Sequence, residues 1–535
     1  MLNSHRMRRL SYLFLVGAFL LVSGCNKDLK EQLDQLQGRK AELQDSVVEL
    51  PDAVQNVICD NAITFDEDIY WVDAAGSVTV HYRLENPADV EVAAEQGWSA
   101  IVSNTSDKEG EIIVTAPDPA SPGVVSVKAI GKRGDIAESL IQLYVRKPYA
   151  SAQHLRIETL AYNGFGTTKE LFTLENFQKL AEAGMTMLTV EGDDAWGSND
   201  WRKQCQLAEQ VGVKVILFIN YDAGLYSADP ENYKGLDILI EETRQIPSIC
   251  AYQIADEPHT DIAYRLATAK KRINELDPDR PVYINLHPSS VSQAGMGAVT
   301  YEAYVDYFAR VCELEFITFD QYPVWLTGVE DGWYHSLDVV SSTAKKYGVP
   351  FWAFLLSSRL ERREDPTLEN MRLQGNINLA YGAQCNQFFV WKCLSDSNYA
   401  PIMPDGTYKE VYYDIKEYTR EMRNREYVFA GGAVFNLRHI GSDYYLHGKH
   451  LDKSDLPEAI GNITADGSAV VSFIGNSGSE YVVICNKSWQ EQLSVEIDFT
   501  RVVYTIDREG EFTEQQPGKT SFTIDEGDMM VIKLK

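Results

Sequence analysis

Carboxylates gather with amides and aromatics at several places between residues 151 and 428. Asp256-Glu257-Pro258-His259 follows the apolar run Cys250–Ala255, Asp320-Gln321-Tyr322-Pro323 closes the run from Phe316, and Glu191-Gly192-Asp193-Asp194 closes the run from Thr186, with Trp196 just beyond. Two carboxyl groups flanking one bond can cleave a glycosidic linkage. One must keep its proton, through burial or a nearby like charge, to serve the leaving oxygen; the other acts as base or nucleophile. Glu257, Asp320, Asp256 and Glu191 are the candidates for these two carboxyls. Asp193, Asp194 and Asp222 also stand where a helix N-cap would.

Such groups work only if the elements beneath them bring them to one rim. Eight apolar, β-branched runs predict strands at Leu155–Asn163, Thr186–Gly192, Lys214–Tyr221, Cys250–Ala255, Pro281–His287, Phe316–Tyr322, Pro350–Leu356 and Gln387–Trp391. Helical patterns fall between them, as at Leu174–Ala183, Asp200–Val211, Ile262–Leu276 and Ser336–Tyr347, and several end before a glycine (Gly184, Gly212, Gly348) that accepts a left-handed cap. Eight strand–helix units predict a closed (β/α)8 TIM barrel over residues 151–428. A doubly wound sheet is the alternative, disfavoured because no glycine-rich phosphate fingerprint follows the first strand.

In a (β/α)8 barrel the active site lies at the C-terminal strand ends. Besides the acids, those ends hold Tyr162-Asn163, Trp196, Asn220-Tyr221-Asp222, Asn285-Leu286-His287, Tyr322 and Trp391-Lys392, with Trp352 inside the seventh strand. The expected sugar-binding set is therefore Tyr162, Asn163, Trp196, Asn220, Asn285, His287, Tyr322, Trp352 and Trp391.

The fourth window carries a resemblance. Ala251-Tyr-Gln-Ile-Ala-Asp-Glu-Pro258, followed by a helix and Asp277-Pro-Asp-Arg-Pro-Val-Tyr-Ile-Asn285, resembles the Asn-Glu-Pro strand of clan A glycosidases. The resemblance implies Glu257 as acid/base and Asp256 in the place of the asparagine that contacts the sugar 2-hydroxyl. Asp-x-Tyr-Pro of the sixth strand and Trp391 of the eighth are similar to barrel glycosidases, including β-galactosidase-like (family 42-like) enzymes. The clan places its nucleophile at the end of strand seven. Here that window reads Leu355-Leu356-Ser357-Ser358, and Glu361 is the nearest carboxylate.

The flanks suggest what carries this barrel. Arg6, Arg8 and Arg9, an apolar run Leu10–Val22, and Val22-Ser23-Gly24-Cys25 form a secretory signal over residues 1–24. The ending resembles the bacterial lipobox and implies lipidation of Cys25; Asn26-Lys27-Asp28 loosely resembles the export signal of Bacteroidetes surface lipoproteins. An outer-membrane lipoprotein in the cell envelope is the expectation, on either face. Leu29, Leu33, Leu36, Leu43, Val47 and Leu50 follow heptad spacing, so residues 25–50 read as a short coiled-coil stalk able to self-associate. Residues 51–150 alternate as short strands and read as a β-sandwich. Gly97-Trp98-Ser99 and Gly110 with Ile112 to Pro117 resemble BACON-type and immunoglobulin-like modules of Bacteroidetes carbohydrate proteins, which implies a spacer or a glycan-binding module. Residues 429–535 are again strand-rich. Glu480–Ser488 and Asp525–Leu534 resemble the small C-terminal sandwich that follows many glycosidase barrels.

Composition narrows the partners. A net charge of −29 argues against nucleic acid, whose phosphates would be repelled, and fits an uncharged glycan better. The 29 Tyr, 20 Phe and 9 Trp supply stacking surfaces. The cysteines other than Cys25 are scattered, with no metal spacing, and read as buried thiols; no metal or nucleotide cofactor is indicated. Two functions follow: a glycoside hydrolase acting on a poly- or oligosaccharide, or a non-catalytic surface glycan-binding protein on a glycosidase-like barrel. Other barrel chemistry, such as a lyase, is the remainder.

Overall fold

A computed structural model describes residues 62–66, 70–72, 76–95, 97–117, 123–132, 136–145, 156–191, 201–219, 233–394, 399–441 and 448–534. The signal segment, Cys25, the heptad stretch, Trp196 and Asn220 lie outside the described residues. The chain divides into two compact units, residues 1–143 and 144–535.

The first unit holds two four-stranded sheets. One runs in the order Ile63–Phe65, Ser77–Leu84, Glu109–Thr115, Ser99–Asn104; the other in the order Tyr70–Val72, Ile136–Val145, Gly123–Gly131, Ala88–Ala94. Alternation sets which face is buried. Val80, Tyr82 and Leu84 are buried while Thr79, His81 and Arg83 between them are exposed, as the period of two requires.

The second unit is built on a closed barrel of eight parallel strands: β1 Glu158–Ala161, β2 Met187–Glu191, β3 Lys214–Phe218, β4 Ile249–Asp256, β5 Val282–Leu286, β6 Ile317–Phe319, β7 Phe351–Leu356 and β8 Cys385–Phe389. β1 pairs in parallel with both β2 and β8, which closes the ring and excludes the open doubly wound sheet. A helix follows each strand: α1 Leu174–Glu182, α2 Trp201–Val211, α3 Lys234–Thr243, α4 Ala263–Leu276, α5 Tyr301–Val311, α6 Gly332–Tyr347, α7 Leu368–Ala380 and α8 Glu410–Phe429. Among the described residues, no helix is long and apolar enough to cross a membrane.

Strand alternation sorts the barrel interior into layers. The lowest is one cluster of Leu160, Met187, Ile216, Ala251, Tyr283, Phe316, Trp352 and Cys385, one residue from each strand or the residue just before it. Two residues further along β4, β5, β6 and β8 the interior turns polar, with Gln253, Asn285, Thr318 and Gln387 all buried. Two further again, the chain reaches the rim with Glu191, Asp256, His287 and Asp320. A register shift in β4 between Gln253 and Ala255 adds the extra residue that brings Asp256 to that rim. Trp352 is thus buried in the lowest layer, its ring 4.0 Å from that of Phe316. The expectation that it meets a sugar is corrected: it sits near the start of β7, far below the rim.

After the barrel, the described residues form a six-stranded sheet, whose central strands are Ala469–Asn476, Ser479–Asn486 and Met529–Lys533, facing a three-stranded sheet of Ile460–Ala465, Leu493–Phe499 and Gly518–Ile524. Val471, Phe473, Val482 and Ile484 of the first share a core with Ile463, Val495, Ile497 and Phe499 of the second. The outer face of the large sheet joins the barrel core through Val470, Ile474, Val483 and Val531. Helix α7 lies between sheet and barrel, so every residue from Asn370 to Ala380 is buried. Two of its asparagines are bonded through their nitrogens: Asn376 donates to the Gly527 carbonyl at 3.1 Å and Asn378 to that of Phe354 at 3.2 Å.

Candidate active site

Three carboxyls meet where β4 and β6 end. Asn285, from β5 between them, is buried and directs its side-chain nitrogen at two of them, donating to Asp256 Oδ1 at 2.9 Å and to Asp320 Oδ1 at 3.0 Å. Those two oxygens can be no farther apart than these two bonds laid end to end. Glu257 stands close enough to Asp320 for each carboxyl to shift the other's hold on its proton. Its other neighbour is His287, whose Nδ1 lies 3.5 Å from Glu257 Oε1. That separation is too long for a strong hydrogen bond, and His287 Nδ1 has no bonded partner, but it is close enough for charge to act.

The turn that presents Glu257 is held rigidly. Its backbone N–H donates to the Asn285 carbonyl at 2.9 Å. Tyr304, from α5, donates its hydroxyl proton to the Pro258 carbonyl at 2.8 Å and accepts from the His287 backbone at 3.3 Å. Glu257 is held at φ +46°, left-handed territory that a non-glycine residue occupies at a cost of order 1–3 kcal/mol. Strain of this kind concentrates at functional sites.

The three acids differ in their hold on protons. Burial, then the negative charges of Glu257 and Asp256, push Asp320 well above the usual carboxylate range. Asp256 is raised chiefly by its protein surroundings, though open to the cleft on one side, and Asn285 and Tyr162 pull the other way. Glu257 is lowered, first by His287 and also by Asp320. Its side chain is 41% exposed. These opposite shifts favour a proton on Asp320 over one on the more exposed Glu257. Sequence reasoning expected burial or like charge to raise Glu257 itself; the raised carboxyl is instead two strands away, at the half-buried Asp320.

Tyr162 extends the cluster. Its hydroxyl accepts from Gln253 Nε2 at 2.8 Å. With Asn163 and Glu191 it lines the same pocket as Asp256. Tyr322, Phe354 and Phe389 join it in an aromatic wall, with ring centroids 5.0 Å apart for Tyr162–Phe354 and 4.9 Å for Tyr322–Phe389. Phe354 and Phe389 escaped sequence reasoning, although period-two spacing from Trp352 and from Gln387 marks both as inward-facing.

Two expected sugar contacts fall elsewhere. Strand β8 ends at Phe389, two residues before the expected position. Trp391 is consequently buried outside the barrel wall, 6.0 Å from the Tyr412 ring. Asn285 does not face a sugar either, since its amide nitrogen is occupied by the two aspartates. Glu361 is no substitute for the missing strand-seven acid: its side chain is 89% exposed and lies 3.8 Å from Arg362. Ser357 and Ser358 direct their hydroxyls to backbone carbonyls of Val390 and Phe389.

No protein-family model matches the sequence, and no curated protein matches it. Among solved structures, the chain is similar to a Bacteroides vulgatus protein with a provisional glycoside hydrolase assignment (TM-score 0.41, 11% identity, covering 86% of this chain and 99% of the other). It is also similar to a Bacteroides ovatus GH5 xyloglucanase (TM-score 0.29, 10% identity, 67% and 100%) and to an endo-1,4-β-mannanase from Eisenia fetida (TM-score 0.35, 11% identity, 50% and 91%). Similarity at this level leaves the reaction to be argued from the site itself.

Proposed function

We propose that this protein is a glycoside hydrolase whose proton is stored on the Asp320–Glu257 pair. The observation that carries the reading is the meeting of three carboxyls at one rim: Asn285 Nδ2 joins Asp256 and Asp320, and the exposed Glu257 stands beside them 3.5 Å from His287. Asp320 and Glu257 shift one another and so titrate as a unit. Asp320 passes its proton to Glu257, and Glu257, the member that faces the cleft, presents it to the glycosidic oxygen as general acid. Asp256 is the second carboxyl, held by Asn285. Tyr162, Tyr322 and Phe389 supply stacking surface for an uncharged sugar.

A second reading has its own observation. The end of β7 carries no carboxylate, so a barrel that binds glycan without cutting it remains the alternative. The two part on one experiment: wild type, Glu257→Gln and Asp320→Asn are incubated with a panel of polysaccharides and oligosaccharides, and both new reducing ends and binding are measured. Cleavage by wild type alone, with binding kept by the variants, supports hydrolysis. Binding of a glycan that wild type never cleaves overturns it.

The setting proposed for this activity is the bacterial envelope, with the chain tethered through Cys25 and the strand-rich first unit acting as a spacer. Incorporation of labelled palmitate, abolished in Cys25→Ala, tests the anchor; an unlabelled wild-type chain contradicts it.

A further inference from the structure

The acids are backed by a run of buried polar groups that packing alone does not require. Inward positions of such barrels are ordinarily filled by bulky apolar side chains, and a buried amide or hydroxyl is costly unless bonded. Here Tyr283 donates its hydroxyl proton to Gln387 Oε1 at 2.8 Å. Gln387 Nε2 donates to Thr318 Oγ1 at 2.7 Å. Thr318 Oγ1 donates to Asn285 Oδ1 at 3.3 Å, and Asn285 Nδ2 donates to Asp256 and Asp320. The Thr318 hydroxyl also lies 3.5 Å from that of Tyr283, but its shorter contact is the one to Asn285, so the closer bonds run from the foot of the barrel towards the carboxyls.

That direction is dictated from the acid end. An ionised Asp256 only accepts, so Asn285 must turn its nitrogen towards it and its oxygen away. The oxygen then needs a donor, and Thr318 has a single proton to give. With that proton engaged, Thr318 must accept, and Gln387 supplies the donor; Tyr283 completes the chain at the oxygen of Gln387. An amide turned over would set an oxygen against two carboxyls. Bonds aligned in series polarise one another, so the chain strengthens the donation that the acids receive.

We propose that Thr318 and Gln387 are positioning residues for the reaction, holding the Asn285 amide with its nitrogen towards Asp256 and Asp320. The inference rests on the reading of these acids as the catalytic set. Without the Thr318 hydroxyl, Asn285 Oδ1 loses its donor, the amide turns freely, and both aspartates hold protons to higher pH.

The test compares wild type with Thr318→Val, which is nearly isosteric, Thr318→Ser, which restores the hydroxyl, and Gln387→Leu. The expected result for Thr318→Val is a fall in kcat of about 10-fold or more. The acid limb of kcat/KM should move up by about half a unit to one pH unit, and Thr318→Ser should restore both. Unmoved limbs, or a loss that Thr318→Ser does not restore, overturn the proposal. A second readout needs no turnover: carboxyl titration by NMR of 13C-aspartate protein, assigned with Asp256→Asn and Asp320→Asn. Titrations displaced upward in Thr318→Val and in Gln387→Leu support the positioning role even if no glycan is cleaved. Titrations identical to wild type overturn it whatever the activity.

Discussion

Asp320 and Glu257 meet at the ends of β6 and β4, where burial pushes the Asp320 carboxyl up and His287 pulls that of Glu257 down, so that the proton is favoured on Asp320. Replacing either should stop turnover without unfolding the barrel. Glu257→Gln and Asp320→Asn are each expected to lower kcat by about 100- to 10,000-fold, the range of a lost general acid or base. Their effects on stability should differ. The native pKa of Asp320 is raised, so the stability tied to its proton is complete below the ordinary aspartate pKa and is lost as pH rises through the native value. Asp320→Asn removes that liability, and its Tm should exceed that of wild type at neutral and alkaline pH. A lower Tm there would contradict the assignment of the proton to Asp320.

The His287 imidazole lowers Glu257 and so loosens the proton shared by the pair. In His287→Gln the pair should hold its proton to higher pH, and the alkaline limb of kcat/KM should move up by about half a unit to one unit. A pH–rate profile across both limbs checks this; a downward shift would place His287 in another role.

Backbone strain at Glu257 gives a prediction that does not depend on the reaction. Glu257→Ala and Glu257→Gly both remove the carboxylate, but only glycine occupies φ +46° without a Cβ penalty. The glycine variant should therefore be more stable than the alanine variant by about 1 kcal/mol, despite the greater freedom of its unfolded chain. Denaturant unfolding of the two proteins measures the difference. Equal stabilities would mean that the turn relaxes on substitution.

Away from the site, burial drives His439 down to about 3, with Lys487 and His450 adding to the effect. It is buried between α6 and α7, with the Tyr381 hydroxyl 3.3 Å from Nε2 and the Tyr334 ring edge-on. The native state keeps it neutral while the unfolded chain protonates it near pH 6.5. Stability is thus complete above that value and falls as pH drops towards 3, by up to about 1.4 kcal/mol per pH unit. His439→Asn should flatten this acid slope in a plot of unfolding free energy against pH. An unchanged slope would assign the acid sensitivity to other groups.

Much of the barrel was legible because its signals are local. β-branched runs, helix-ending glycines and the period of two located all eight strands, with ends accurate to a few residues. That accuracy suffices for Asp256 and Asp320 but not for Trp391, where a strand end two residues early moves a large ring from rim to core. Depth was the second difficulty. Trp352 and Phe354 share one face of β7, and only the stagger between neighbouring strands, which is a property of the closed ring, puts one in the lowest layer and the other at the aromatic wall. The proton order of the acids was the least legible. Glu257 and Asp320 are similar in sequence context, and what separates them is the company that the fold provides: His287 beside one, enclosing protein and two negative charges around the other.

The central claim is that water cleaves a glycosidic bond at the Asp320–Glu257 pair. Its most direct test is cleavage of a bound glycan in 18O-labelled water, followed by mass spectrometry of the products. The account predicts one heavy oxygen at each new reducing end for wild type, and none formed by Glu257→Gln or Asp320→Asn. Recovery of the bound glycan intact, or unlabelled products with a new double bond, would contradict it.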